Sequence, residues 1–296
     1  MENLSKERIA QIAFETTGKG KNPYWNEVRM GRLTAENFGK GLRAADAGPH
    51  SNAAYSLKQE IYNTRPFGYI KATNWALDNE AKAIDQYTSE TGRIVKPTGI
   101  WLFPSGYMGA SPDGLVYLNE HDHQPVGILQ VKCPYTVRDF NFASEKEWHD
   151  QFSFLDEHNN MKKTNDYYHE AQGTMFALNV LWCDFFIWTP RAHLCIRVPR
   201  DEYWQLCTIS KLNNFYYYHL MRREDRDLDW IDEEDEGEDV PKGYYKAFVY
   251  TPDVNSILNP VEGAEHAVRY YALMTLHYHL ARWIHHYLSD SISGLD

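Results

Sequence analysis

No run of 18 or more apolar residues occurs anywhere in the 296-residue sequence, whereas a helix needs roughly 20 to cross the hydrocarbon core of a bilayer. A membrane-spanning function is therefore not expected. The first residues, MENLSKERIAQIAFETTGKGK, lack the apolar centre of a secretory signal, and we expect an intracellular protein that is not secreted. Cysteine is scarce. Cys133, Cys183, Cys195 and Cys207 form no Cys-x-x-Cys pair, so a zinc ribbon or a disulfide framework is not indicated and buried free thiols are expected. Positive charge is also in short supply, with 30 Lys and Arg against 41 Asp and Glu, a net charge of −11. Such a balance opposes polyanion binding, which draws most of its non-specific affinity from cationic side chains. The charge is unevenly spread, however. Residues 224–239 hold eleven acidic residues and one basic residue, a net of −10, leaving −1 for the rest of the chain.

What the sequence does have is core-forming material. Hydrophobic residues make up 43% and aromatics 15%, including 21 Tyr and 9 Trp, a composition that packs rather than staying disordered. Helical patterning covers residues 4–17 and a short segment from Trp25 to Arg29, after which Thr34 is positioned as the N-cap of another helix. A further helix is expected around 74–87, ended by Gly92. From Ile94 to Cys133 the texture becomes β-rich, with predicted strands at 99–103, 114–118 and 126–132. A helix at 167–181, strands at 183–188 and 194–198 and a helix at 201–221 complete the pattern.

The acidic run is expected to be a solvated linker, because like charges at that density repel one another; competition with a polyanion for a basic groove is a lesser alternative. Residues 264–288 suit an amphipathic helix. Its His277, His279, His285 and His286 lack the i, i+4 spacing that sets two ligands on one helical face, and they are expected to be packing or surface residues, as are His121 and His123.

The chemistry lies in two strand-borne motifs. Ser111-Pro112-Asp113-Gly114 sets an acid at the start of one predicted strand, and Leu129-Gln130-Val131-Lys132-Cys133-Pro134 ends another. Strand alternation projects Gln130 and Lys132 from one face and Leu129, Val131 and Cys133 from the other. Phosphodiester cleavage needs a hard cation held by oxygen donors and a positive group near the attacking water. Asp113 and Lys132 supply those two types. Each alone is unremarkable, since Asp-Gly is common turn chemistry and Lys is usually solvated.

Together the motifs resemble the lambda-exonuclease and YqaJ-like viral recombinase family of the PD-(D/E)xK nuclease superfamily. The resemblance also takes in Trp25-x3-Arg29-x-Gly31-Arg32-Leu33-Thr34-Ala35 upstream. Downstream it takes in Tyr167-Tyr168-His169-Glu170-Ala171-Gln172-Gly173, followed by a Cys-Asp-Phe strand, for a span of residues 10–221. It implies an α/β fold with a restriction-endonuclease-like core, a mixed central sheet of about five strands flanked by helices. Residues 1–223 would form the nuclease domain, 224–242 an acidic linker and 243–296 a mainly helical extension. It further implies Mg²⁺, with Mn²⁺ as a substitute, bound as a pair of ions by Asp113, Glu80, Gln130, the Val131 carbonyl and Glu170. Asp113, Lys132, Gln130 and Glu170 would be catalytic; Arg29, Arg32, Thr34, Ser111, Tyr135, Arg138 and Gln172 would meet DNA and its phosphates. The implied activity is 5′→3′ digestion of linear duplex DNA to give single-stranded tails. Duplex ends are the implied partner, and a single-strand annealing protein and a homo-oligomer are left open. Trp25 and Trp75 are expected to pack in the core.

Two residues depart from the family pattern. Gln130 stands where the family has its second strand carboxylate, and an amide brings no negative charge to a cation. The missing charge has moved to Glu170, where the family has Gln, or Gln130 is an engineered substrate trap, or the chain is a silent DNA-end-binding relative. We favour the first. A structure-specific endonuclease on the same fold is a further alternative. Glu36 replaces a family Ser and is expected to pair with Arg32, one helical turn away.

Overall fold

The computed structural model describes residues 4–62, 71–142 and 144–221. The acidic run, the histidine-bearing segment 264–288 and both proposed domain boundaries lie outside them. Helix α1 (Lys6–Glu15) starts at Ser5, whose hydroxyl accepts from the Arg8 N–H. Helix α2 (Pro23–Arg29) starts at Asn22, whose side chain accepts from Tyr24, with Pro23 in the first turn where no N–H is missed. Strand β1 (Leu33–Thr34), helices α3 (Phe38–Ala47), α4 (Asn52–Tyr62) and α5 (Lys71–Thr91), and strands β2 (Ile94–Lys96), β3 (Trp101–Leu102), β4 (Met108–Ala110), β5 (Gly114–Tyr117) and β6 (Gly127–Lys132) follow. The chain then passes through α6 (Glu145–Gln151), α7 (Asp166–Leu178), β7 (Trp182–Trp188), β8 (His193–Pro199) and α8 (Glu202–Phe215).

The main sheet is mixed and five-stranded, in the order β2-β5-β6-β7-β8, with β6 and β7 parallel and the other pairs antiparallel. This is the expected architecture. The parallel pair places α6 and α7 in the connection that returns the chain from one strand to its neighbour, as a parallel crossover requires. Strand β6 is covered on both faces. Leu129, Val131 and Cys133 pack with Ala83 and Tyr87 of α5, whereas Ile128 lies in the cluster with Phe185, Ala171 and Met175 on the α7 side. Each such buried side chain contributes about 1.5–3 kcal/mol before the cost of ordering it. Gln130 shares the Ile128 face, and that parity aims Gln130 and Lys132 at α7.

Several element expectations need correction. Residues 99–103 yield only the two-residue β3, which leaves the main sheet and joins β4 and β1 in a second, three-stranded one. Strands β1 and β4 are too short for alternation to register. Thr34 makes no capping bond; its hydroxyl donates to Glu36, 3.3 Å away, across a single 3₁₀ turn at Ala35–Asn37. Helix α7 comes unusually close to this turn. A Cβ at Gly173 would overlap the Phe38 ring, so glycine is what lets α7 bring Glu170 and Thr174 up to the loop after β1.

Candidate active site

The sheet presents two charged groups at the ends of β5 and β6, one toward each helical layer. On the α5 side is Asp113, fixed just ahead of β5 by its N–H to the Leu129 carbonyl, 3.0 Å. Its Oδ2 accepts from the Val131 N–H at 2.6 Å. Its Oδ1 is taken by the ammonium of Lys19, in a close ion pair. Glu80, on α5, brings a second carboxylate to 4.0 Å from the same Lys19 Nζ. Burial, then the negative charge of Asp113, raises the Glu80 pKa against the pull of Lys19 and Lys132. For Asp113 burial pushes upward too, but Lys19, Lys132 and the Val131 N–H outweigh it and the carboxyl stays below its ordinary value. This pair of acids is therefore held together by a cation.

On the α7 side, Lys132 Nζ lies 3.2 Å from both carboxylate oxygens of Glu170. Burial disfavours the ammonium, yet Glu170 and Asp113 more than compensate, and the Lys132 pKa is raised. Lys132 is thus a fixed positive charge and not a proton acceptor near neutral pH. Gln130 is buried, and its Nε2 donates to Thr174 Oγ1 at 3.3 Å. Its Oε1 has no partner among the described residues, an arrangement that ordinarily costs about 1–3 kcal/mol. The orphaned oxygen is free to accept a hydrogen bond or to ligate a cation.

Beside this pair a small cleft is lined by Arg29, Thr34, Glu36, Ser111, Gln130 and Glu170, together with Ala35 and Thr174. Arg29 lies 4.1 Å over the Trp25 ring, and the Trp25 indole N–H donates to Ser111 Oγ at 2.9 Å. Trp25 is partly buried against Ile12, Val28, Ile100 and Leu102, in keeping with its expected packing role. Burial lowers the Arg29 pKa to about 10, opposed by the charge of Glu60. The guanidinium remains charged and makes a close ion pair with Glu36.

The structure thus brings Asp113, Glu80, Lys132, Gln130 and Glu170 to one sheet end and Arg29, Thr34 and Ser111 to the adjoining cleft. It divides the five-donor set, however. Asp113 and Glu80 gather on Lys19, Glu170 sits on Lys132, and among the described residues no three His, Cys, Asp or Glu side chains form one ligand group. Glu36 pairs with Arg29, not Arg32. Arg32 donates to the backbone carbonyls of Gly106 and Val28, both at 2.6 Å, which ties α2 to the turn before β4, and it is not among the residues that line the cleft. Gln172 is fully buried, bonding the Pro199 carbonyl and the Asp201 N–H, both at 2.8 Å; it ties α7 to the start of α8 and does not line the site. Arg138 folds back on Tyr135, donating to its carbonyl at 2.7 Å and stacking 4.0 Å from its ring, while Tyr135 meets Trp75 edge to face. Lys19 was missed by sequence reasoning. The only local sign was its place between two glycines in Gly18-Lys19-Gly20-Lys21.

This site and fold define a mixed α/β domain with acidic and basic side chains converging at the ends of β5 and β6. The profile of the YqaJ-like viral recombinase domain matches residues 24–175, just over half of the chain, and the chain belongs to that family. Among curated proteins it is similar to the alkaline nuclease of Autographa californica nuclear polyhedrosis virus, 24% identical over 239 residues. That match takes in 72% of this chain but only 52% of the relative, so the chain spans about half of that protein. Among solved structures it is similar to the alkaline exonuclease LHK-Exo from Laribacter hongkongensis, with 22% identity and a TM-score of 0.47 over 64% of this chain and 89% of that one. The LHK-Exo complex with dAMP gives 21% identity and a TM-score of 0.49 over the same shares. A phage-related exonuclease from Haemophilus somnus 129PT gives 15% identity and a TM-score of 0.42, over 64% and 92%.

Proposed function

We propose that this chain is a metal-dependent DNA nuclease acting on the ends of linear duplex DNA in the 5′→3′ direction. The observation that carries this reading is the convergence of Asp113, Gln130, Lys132 and Glu170 at one sheet end, beside a cleft holding Arg29 and Ser111. Membership of the YqaJ-like family and similarity to a viral alkaline nuclease support it.

The side chains have separable tasks. Arg29, Thr34 and Ser111 hold phosphate oxygens, with Trp25 fixing the first by stacking and the last by a hydrogen bond. Lys132, held protonated by Glu170, stabilises the negative charge that builds on the phosphorus oxygens. Asp113, Glu80 and the Val131 carbonyl on the α5 side, and the Gln130 Oε1 on the α7 side, are hard oxygen donors suited to Mg²⁺ or Mn²⁺; the ammonium that Asp113 and Glu80 share supports a cation position between those two acids. When bound, such an ion polarises the phosphate and lowers the pKa of water. Glu170 supplies the negative charge that Gln130 lacks.

The test is digestion of end-labelled linear duplex in Mg²⁺, beside closed circular DNA and an Asp113→Asn variant. Loss of label from linear DNA only, abolished by Asp113→Asn, is expected. Cutting of closed circles would establish an endonuclease. Binding of ends without cutting would establish the silent relative, the alternative that Gln130 favours.

A further inference from the structure

We propose that Lys19 is an internal counter-ion of the Asp113–Glu80 pair, and that a divalent cation enters this site by exchanging with it. The inference rests on the metal-dependent reading above.

The geometry leaves Asp113 one oxygen to give. Oδ2 is tied to the Val131 N–H, a bond internal to the sheet, and Oδ1 is the oxygen that Lys19 occupies. Glu80 faces the same ammonium at 4.0 Å. A cation held by Asp113 Oδ1 and Glu80 together takes the place of the Lys19 head group. Like charges close together in a partly dry site repel strongly; Lys19 is the cation in direct contact with Asp113, while Lys132 and, for Glu80, Lys21 act from farther away.

A single 3₁₀ turn, Lys19–Lys21, delivers the ammonium to the acids. Lys19 has φ +48°, in the left-handed region that residues with a side chain rarely adopt, and follows Gly18 at φ +97°. Gly18, Gly20 and Lys21 are exposed while the Lys19 side chain is only 20% exposed. The base of the loop is fixed, since the Asn22 side chain donates to the carbonyls of Glu15 at 2.8 Å and Thr17 at 3.0 Å. Lys19 is bonded into the turn at both ends, its N–H donating to the Thr16 carbonyl at 3.3 Å and its carbonyl accepting from the Asn22 N–H at 2.7 Å, so the exchange moves the long side chain of Lys19 and not the backbone that carries it. No substrate contact is needed for this exchange.

The experiment is calorimetric titration of the full chain with Mn²⁺ alone, comparing wild type, Lys19→Met and Lys21→Met. Lys21 lies in the same loop and reaches neither acid within ion-pair distance. Competition between two ligands for one seat predicts that Lys19→Met binds Mn²⁺ roughly tenfold more tightly, within the usual range of coupling between sites, while Lys21→Met changes affinity by less than about twofold. A second measurement needs no variant: trypsin cleavage of wild type after Lys19 is faster with Mn²⁺ than with EDTA. Unchanged or weaker affinity in Lys19→Met, or equal gains in both variants, overturns the exchange and leaves the nuclease reading standing. Should Lys19→Met fail to fold, equal cleavage with and without Mn²⁺ overturns it. Absence of Mn²⁺ binding in every protein overturns both.

Discussion

Lys132 and Glu170 face each other across the junction of β6 and α7, the ammonium 3.2 Å from each carboxylate oxygen. One comes from the strand motif and the other from the helix motif, 38 residues later. Gln130, two residues before Lys132, lines the same cleft as Glu170.

If Glu170 carries the charge that Gln130 lacks, Glu170→Gln lowers duplex cleavage by about a hundredfold or more, the scale of losing one well-placed electrostatic group. Gln130→Glu in that background restores much of it, since the charge returns to the same cleft. Rates for the two single variants and the double variant form the cycle. An inactive wild type rescued by Gln130→Glu alone, or full activity in Glu170→Gln, would remove Glu170 from the mechanism.

Glu36 occupies the Arg29 guanidinium and accepts the Thr34 hydroxyl, the donors that an incoming phosphate would use. We expect wild type to bind duplexes with 5′ phosphate and 5′ hydroxyl about equally, and Glu36→Ser to prefer the 5′ phosphate by roughly tenfold, a charge-assisted bond or two. Fluorescence anisotropy in Ca²⁺ measures this. A strong 5′-phosphate preference already present in wild type contradicts it.

Asp184 is the acid most easily mistaken for a catalytic one. It is buried within β7, bonded by Arg197 at 2.8 and 2.9 Å, by Arg93 at 2.7 Å and by the Tyr87 hydroxyl at 2.7 Å. Its place is structural. Asp184→Ala removes the buried acceptor of two arginines that water can partly solvate and should lower unfolding free energy by about 1–3 kcal/mol, read by urea denaturation, while metal binding per folded molecule stays unchanged.

Asp201 gives a pH signature. Burial raises its pKa, but Lys163, the Trp204 N–H it caps and the Tyr168 hydroxyl prevail and lower it to about 2. A lowered folded-state pKa stabilises the protein above the unfolded value of about 3.9, and this is lost as pH falls from there toward the folded value. Asp201→Asn keeps a cap and removes the titration, so its stability below about pH 4 should fall less steeply than that of wild type. Asp201→Ala loses the cap and costs about 1 kcal/mol at neutral pH. Equal acid limbs in wild type and Asp201→Asn would refute the assignment.

Much of the fold was legible because its longer elements are apolar-rich runs bounded by cap and turn residues, such as Ser5, Asn165 and Asp201 ahead of α1, α7 and α8. Helices α1, α5, α7 and α8 and strands β5, β6, β7 and β8 lie close to where their patterns put them. The short strands β1, β3 and β4 were not separable into a second sheet, since two or three residues show no period and their pairing is non-local. In the site, the strand parity of Gln130 and Lys132 followed from sequence alone. The partners of Arg29 and Arg32 did not, because the i, i+4 rule assumed a continuous helix where the chain turns through β1.

By itself, then, the sequence determined which chemistry is present: Asp113, Lys132 and Glu170 in their motifs, and the amide at Gln130 in place of an acid. Only the tertiary structure decided how those charges are shared. Burial makes each charge at the sheet end seek a partner, and the partners come from other elements: Glu170 for Lys132, Glu36 just past β1 for Arg29, and Lys19, 94 residues from Asp113, for the two acids.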